Sequence, residues 1–342
     1  MNTADVMRML ELFWHPVCTR AELADAAPHP LAVQLLDRKL AVADLGGAVL
    51  VTTDRCPHRS TRLSIGWIEN DSVRCAYHGW RYDAAGACVE IPSTPDGPLP
   101  ASPCLESFAV EVAYDLVWVR IDGAAGTTIP ACPAFDDASM RVVAGAPYTW
   151  PTSALRRVEN FVDLAHFAFV HDGTLGRRDQ PVPPIPPITR VDGEMRFHYD
   201  PPEMTVEREA LFGHSRYRMP MPCTVDIEFF QENGARRDLW MTASPIGAGT
   251  CRPFWFVSRD DDLDGDDDVH LEFQQLILDQ DAAVVCHQDP PELVLDPGFE
   301  MSVRTDRVSI EYRRWLSELA EAAARGPEAL RAALRDTTAV VS

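Results

Sequence analysis

Between residues 31 and 121 the apolar positions come in short runs. Leu31-Ala32-Val33, Ala41-Val42-Ala43-Asp44-Leu45 and Ala48-Val49-Leu50-Val51 are each cut by charges or paired glycines, and Trp80-Arg81-Tyr82 and Val117-Trp118-Val119-Arg120-Ile121 continue the pattern. Runs this short, separated by turn residues, predict a small all-β unit. Ahead of it, residues 1–12 read as a short helix that stops before Trp14-His15-Pro16. The composition changes near Asp122-Gly123-Ala124-Ala125-Gly126, which divides the chain into 10–124 and 125–338.

The second part mixes both periods. Residues 154–170 interleave apolar and polar positions as a helix does, and so do 269–287 and 308–335. Residues 194–257 alternate as in Thr224-Val225-Asp226-Ile227-Glu228-Phe229, which predicts an antiparallel sheet. Pro181 to Pro187 holds five prolines in seven residues and must be an extended connector. Asp260 to Asp268 holds seven aspartates in nine residues without the spacing of a calcium-binding hand, and reads as a surface loop. The fold class expected is α+β: a β domain followed by a mixed domain with an antiparallel sheet.

At 342 residues the chain has ample core for two domains. Its formal charge of −21 argues against nucleic acid and anionic membrane surfaces, which attract cations. No apolar run approaches the ~18–20 residues of a membrane helix, and the N-terminus lacks a signal-peptide pattern. A cytoplasmic protein is expected. In that reducing compartment the nine cysteines are not a disulfide framework.

Four of the chain's cysteines and histidines stand apart. Cys56-Pro57-His58 is followed, after sixteen intervening residues, by Cys75-Ala76-Tyr77-His78, so each half offers one thiolate and one imidazole. A structural zinc also accepts two cysteines and two histidines, but zinc fingers keep like residues together. The C-x-H…C-x-x-H order suits a 2Fe–2S cluster of Rieske type, with cysteines on one iron and histidines on the other. The other seven cysteines show no comparable pairing.

A second constellation lies in Glu159-Asn160-Phe161-Val162-Asp163-Leu164-Ala165-His166-Phe167-Ala168-Phe169-Val170-His171. On an ideal helix Glu159, Asp163 and His166 share a face, whereas His171 lies roughly 140° from His166. The two rings meet at one metal only if the helix ends or bulges near Phe169-Val170. Two histidines and a carboxylate form the facial triad of non-haem Fe(II) oxygenases. Asp281 is the best third ligand, with Asp279 next and Asp289 after it. Gln274 and Leu278, seven and three residues before Asp281, would face the same metal, and Asn160 and Phe169 join them as candidate substrate-pocket residues. Taken singly, each of these side chains is more often core or surface than ligand.

Together the two constellations, Cys-x-His…Cys-x-x-His and N-x-x-D-x-x-H-x-x-x-x-H, resemble the catalytic subunits of Rieske non-haem iron oxygenases over about residues 10–335. Phe13-Trp14-His15-Pro16, Asp54-Arg55-Cys56-Pro57-His58-Arg59-Ser60, Tyr77-His78-Gly79-Trp80 and Tyr312-Arg313-Arg314-Trp315-Leu316 are similar to the bacterial methylxanthine N-demethylases in particular. The resemblance implies an N-terminal Rieske domain, a helix-grip catalytic domain and a head-to-tail homotrimer. It implies Cys56, His58, Cys75 and His78 as cluster ligands, His166, His171 and Asp281 as ligands of Fe(II), and Asp163 as the bridge that carries electrons between subunits. It also implies O2 as co-substrate and NAD(P)H as indirect electron source through a separate flavin/iron–sulfur reductase, since no glycine-rich dinucleotide fingerprint stands here. The activity implied is monooxygenation of a C–H bond in a small polar or heteroaromatic substrate. On an N-methyl group this yields a hydroxymethyl amine that collapses to amine and formaldehyde. O-demethylation or stereoselective hydroxylation in a biosynthetic pathway is the alternative, and a non-catalytic electron-transfer or zinc protein the alternative of another class. Cys286 stands where many relatives have glutamate, which leaves the substrate open.

Overall fold

The computed structural model describes residues 3–102, 104–200, 214–231, 233–335 and 337–340. Two short helices come first, α1 (Thr3–Leu10) and α2 (Arg20–Asp25). The chain divides into two compact units, Glu11–Ile129 and Met1–Leu10 with Pro130–Ser342. The division therefore falls a few residues beyond the Asp122–Gly126 turn. It also gives α1 to the larger unit, where α1 packs on the helix Arg307–Arg325. Sequence order hides this, because the apolar face of α1 is matched by a helix some three hundred residues away.

Apart from α2 the regular structure of the smaller unit is β among the described residues, in three antiparallel sheets. The strand runs read from the sequence are present as Leu31–Leu35, Arg38–Leu45, Ala48–Thr53, Arg81–Tyr82 and Leu116–Arg120. Leu45, Leu50, Leu63, Val73 and Tyr82 form its core, and Cys56 and Cys75 are buried in that same cluster. Both cysteines thus sit at the base of loops whose outer parts reach the surface.

The larger unit is built on one antiparallel sheet. Its spatial order is Arg141–Ala144, Thr250–Arg259, Arg236–Gly247, Thr224–Phe230, His214–Pro220, Glu194–Tyr199, Ile188–Val191 and Thr338–Val340. Pairing register puts Phe197 opposite Tyr217, Tyr217 opposite Ile227, and Ile227 opposite Leu239. The neighbouring row runs Tyr199, Ser215, Phe229. Because side chains alternate across a strand, these rows share one face and make an aromatic floor. The alternation expected over 201–213 and at 232 lies outside the described residues.

Over that sheet run α3 (Ala154–Val162), α4 (Phe167–Val170) and α5 (Asp267–Val285), followed by α6 (Arg307–Arg325) and α7 (Pro327–Leu334). The single helix expected over 154–170 is broken, as is the one over 308–335. The first break is made by Asp163, which leaves helical geometry and accepts a bond from Ala165 N–H at 2.9 Å. A short carboxylate that satisfies its own neighbouring backbone competes with the helical ladder. The second is made by Gly326, whose φ of 116° excludes helix, and by Pro327 after it. The aspartate run is a helix start as much as a loop. Asp266 caps α5, and Asp267 pairs with Arg141 at 2.6 Å and Arg259 at 2.9 Å.

Candidate metal centres

In the smaller unit, two loops repeat one backbone plan. Cys56 N–H bonds Thr61 C=O at 2.7 Å while Ser60 N–H bonds Cys56 C=O at 2.9 Å. Cys75 N–H bonds Trp80 C=O at 2.8 Å while Gly79 N–H bonds Cys75 C=O at 3.0 Å. The fourth residue after each cysteine, Ser60 or Gly79, turns the chain through positive φ. The imidazoles project beyond the turns, with ring centroids of His58 and His78 4.5 Å apart. Trp80 stacks on His58 at 4.6 Å. The cysteines are buried, His58 is half-buried and His78 is exposed.

This arrangement separates zinc from a two-iron cluster. A tetrahedral zinc needs all its donors within about 2.0–2.3 Å of one point. Among the described residues the one group of three or more such donors gathered within 4.8 Å is a different set, His166, His171 and Asp281. Cys56, Cys75, His58 and His78 instead offer a buried thiol end and an outer imidazole end, the shape a two-iron cluster requires. His58 Nδ1 is buried without a hydrogen-bond partner, which leaves it free to bind metal. Burial first, then the charge of His78, lowers the His58 pKa and favours the neutral ligand form.

The buried end carries one more polar contact. Tyr82 OH lies 3.2 Å from Cys56 Sγ. Burial pushes the Tyr82 phenol well up, so it keeps its proton and donates to the sulfur. Hydrogen bonds to cluster sulfur raise reduction potential. Tyr82→Phe is therefore expected to lower the cluster potential without loss of cluster, as protein-film voltammetry would show.

In the larger unit α3 ends at Val162, and the chain turns through Asp163 into the single turn of α4, between His166 and His171. The helix does stop at Val170, which is what brings the two rings together, their centroids 5.0 Å apart. Behind His171, Gly176 lies so close to the α4 backbone that an added Cβ would stand 2.3 Å from Phe167 C=O. Only glycine closes this loop. From α5, Asp281 Oδ1 stands 3.4 Å from His166 Nε2 and 3.1 Å from His171 Nε2. Asp279 points away to Gln275 at 2.7 Å, since two residues turn a helix by roughly 200°, and Asp289 is exposed.

Around this triad stand Asn160 and Asp163, which the sequence singled out, and Gln280 and Arg157, which it did not. Gln280 Oε1 is 2.7 Å from His171 Nδ1, an outer contact that orients the ring and leaves Nε2 for a metal. Asn160 donates to Asp281 Oδ1 at 3.1 Å, and Arg157 approaches Oδ2 at 3.4 Å. Asp163 Oδ2 lies 3.7 Å from His166 Nδ1. Glu159, which an unbroken helix would place beside them, instead pairs with Arg313. Burial alone would depress the His166 pKa, but Asp163 and Asp281 outweigh it and push it up to about 9. Burial likewise opposes, and the two histidines with Arg157 outweigh it at Asp281, holding that carboxylate far below its usual range.

The sign of this shift makes a prediction. Without metal, His166 is protonated below about pH 9, and a metal ligand must be neutral. Loading Fe(II) into chelated enzyme at pH 7 should then release a proton, and its apparent affinity should rise with pH up to about 9. Calorimetry in buffers of different ionisation enthalpy measures that release.

One cavity opens from the triad onto the aromatic floor. Its walls are Phe161, Phe167, Leu175, Tyr199, Tyr217, Ile227, Phe229, Leu239, Phe273 and Ile277. Apart from tyrosine hydroxyls and the triad, its polar groups among the described residues are Asn160, Ser215 and Gln274. Asn160 and Gln274 therefore lie where the sequence put them. Leu278 and Phe169 do not. Ile277, one turn before Asp281, takes the place expected of Leu278, which is buried elsewhere. Phe169 is 59% exposed, because the break after α3 rotates its ring outward, while Phe161 and Phe167 wall the cavity. On another side Asp163, His166 and Asp281 border an open cleft with exposed Val284, Met301 and Ile310 at its edge.

Known proteins match these features. Residues 13–109 match the Rieske 2Fe–2S domain, and residues 150–322 match the vanillate O-demethylase oxygenase C-terminal domain. Methylxanthine N1-demethylase of Pseudomonas putida is 40% identical over 97% of this chain and 95% of its own. Methylxanthine N3-demethylase of the same species is 43% identical over 94% and 93%. The solved structure of the Pseudomonas putida N1-demethylase with caffeine superposes with a TM-score of 0.93 at 39% identity, covering 99% of each chain. The chain belongs to the Rieske non-haem iron oxygenases, as the terminal oxygenase component that works with a 2Fe–2S cluster, iron, O2 and electrons from a reductase.

Proposed function

We propose that this oxygenase removes N-methyl groups from flat, uncharged heteroaromatic molecules of the methylxanthine kind. The observation that carries the reading is the cavity beside His166, His171 and Asp281. Its walls are aromatic and apolar, and its few polar groups are neutral amides and hydroxyls. Such a lining excludes a charged substrate, whose desolvation nothing would offset, and accepts a planar ring that stacks and hydrogen-bonds at its edge. The identity to two methylxanthine N-demethylases supports the same reading.

On this reading Cys56, Cys75, His58 and His78 hold the cluster, and His166, His171 and Asp281 hold Fe(II). The bound metals together supply O2 activation and insertion of oxygen into a substrate C–H bond. The chain's own residues do the rest. Gln280 fixes the tautomer of His171, and Asn160 and Gln274 offer amide groups to the substrate edge. Phe161, Phe167 and Phe229 keep water from the reacting carbon. A methyl group so hydroxylated leaves as formaldehyde.

Asp163 is the bridge in this scheme. It is half-buried at the edge of the open cleft and reaches the outer nitrogen of His166. The exposed apolar rim formed by Val284, Met301 and Ile310 suits a protein surface set against it, here the cluster-bearing face of a neighbouring copy in a ring-closing homotrimer. No helix is long and apolar enough to cross a membrane among the described residues. We place the enzyme in the cytoplasm, beside its NAD(P)H-dependent flavin/iron–sulfur reductase.

The test is formaldehyde release from a panel of N-methyl heterocycles, with O2 and a competent reductase, against methoxyarenes of similar size. Turnover of the N-methyl compounds alone is expected. Turnover confined to methoxyarenes would move the enzyme to O-demethylation, the activity named in its C-terminal family match.

A further inference from the structure

Arg157 is among the least exposed charged residues of the protein, at 0%. Its guanidinium carbon lies 4.0 Å from the ring centre of Phe161 and 4.7 Å from that of Trp150. Nε donates to Tyr148 OH at 2.8 Å. Nη1 bonds Asn160 Oδ1 and stands 3.4 Å from Asp281 Oδ2, while Nη2 has no hydrogen-bond partner. Burying such a cation costs several kcal/mol unless a carboxylate meets it, and the carboxylate that meets it is Asp281. A lysine would keep the charge that faces Asp281 but not the planar fork that lies between two rings and reaches two acceptors.

The two oxygens of Asp281 consequently have different neighbours. Oδ1 faces both histidine Nε2 atoms and accepts from Asn160 Nδ2. Oδ2 faces Arg157. We infer that Arg157 is a positioning residue that withholds Oδ2 from the metal, so that Asp281 ligates through one oxygen and an additional coordination position stays open. The inference rests on the assignment of His166, His171 and Asp281 as the ligand set. A free carboxylate at a divalent metal readily binds through both oxygens, and here a buried cation holds one of them in competition. Arg157 is not among the residues that line the cavity. It acts through Asp281, and its own backing of Phe161 and Asn160 ties the carboxylate to two walls of the substrate cavity.

The experiment replaces mononuclear iron with Co(II) in the full-length protein and reads the cobalt X-ray absorption edge, which the iron–sulfur cluster does not obscure. Wild type should show one carboxylate oxygen bound, with the carboxylate carbon at the long distance of single-oxygen ligation. Arg157→Gln should shorten that distance and weaken the pre-edge band severalfold as Oδ2 joins the metal, with cobalt retained. Arg157→Lys, which restores the charge, should recover most of the wild-type edge. A two-oxygen carboxylate in wild type overturns the inference and needs no variant to fold. So does a folded Arg157→Gln protein whose edge matches wild type, or one that loses cobalt outright, since either makes Arg157 a packing residue only. Wild type that binds no cobalt at these three residues overturns the ligand assignment itself, and the inference with it.

Discussion

Replacing Asp281 by asparagine is expected to reduce mononuclear iron to background and to end product formation, while the brown cluster in the smaller unit remains. The charge of the donor set explains the size of the effect. Losing an outer hydrogen-bond partner of a metal ligand typically costs about 10–100-fold in metal affinity or activity. Asp281 is a donor itself and the carboxylate that both Nε2 atoms face, at 3.4 and 3.1 Å. The same change leaves the Arg157 cation buried without a counter-charge, which costs about 3–5 kcal/mol. A fall in Tm should therefore accompany the loss of iron. Metal analysis beside the cluster's visible spectrum separates this from global unfolding. Iron retained at wild-type level would exclude Asp281 as ligand.

The second large effect is expected at Asp163. Its carboxylate lies 3.7 Å from His166 Nδ1, and it caps the turn that ends α3 through Ala165 N–H. Burial raises its pKa, but His166 outweighs this and keeps it ionised, as a bridging carboxylate must be. Asparagine retains the oxygen that accepts from Ala165, so the turn survives Asp163→Asn. Both metal centres should stay loaded, and product formation should drop by about 10–100-fold or more because electrons no longer reach the iron in step with substrate. Stopped-flow oxidation of the reduced cluster measures that step directly. Loss of iron from this variant would instead make Asp163 a ligand.

How much of this was legible in sequence depended on whether local order carries the signal. The Cys/His pairs and His166 with His171 sit a few residues apart in continuous segments, so their spacing speaks for itself. The rotation of roughly 140° between the two histidines even required a helix stop, and the structure has one after Val170. What sequence did not show was where the carboxylate of Asp163 would divert the chain. Beyond that diversion Phe169 faces outward, while Glu159, still on α3, pairs with Arg313. Arg157 and Gln280 were illegible for another reason. A lone arginine or glutamine in a helix reads as surface, and only tertiary packing turns one into a buried cation and the other into a histidine's partner. Leu278 and Ile277 flank Asp281 on the wheel of α5, roughly 100° apart, and the cavity wall, not the period, decides between them. The aromatic floor is a product of strand register, which pairs Tyr217 with Ile227 and Ile227 with Leu239 across three strands.

We propose that N-methyl oxidation happens at His166, His171 and Asp281. A single-turnover experiment tests it most directly: the protein is reduced anaerobically without its reductase, loaded with a methylxanthine, exposed to O2 and quenched. Samples carry graded amounts of mononuclear iron at constant cluster content. Formaldehyde is predicted to rise in proportion to mononuclear iron and to vanish in Asp281→Asn. Formaldehyde that follows the cluster alone, or none from any N-methyl heterocycle at full iron loading, would contradict the account.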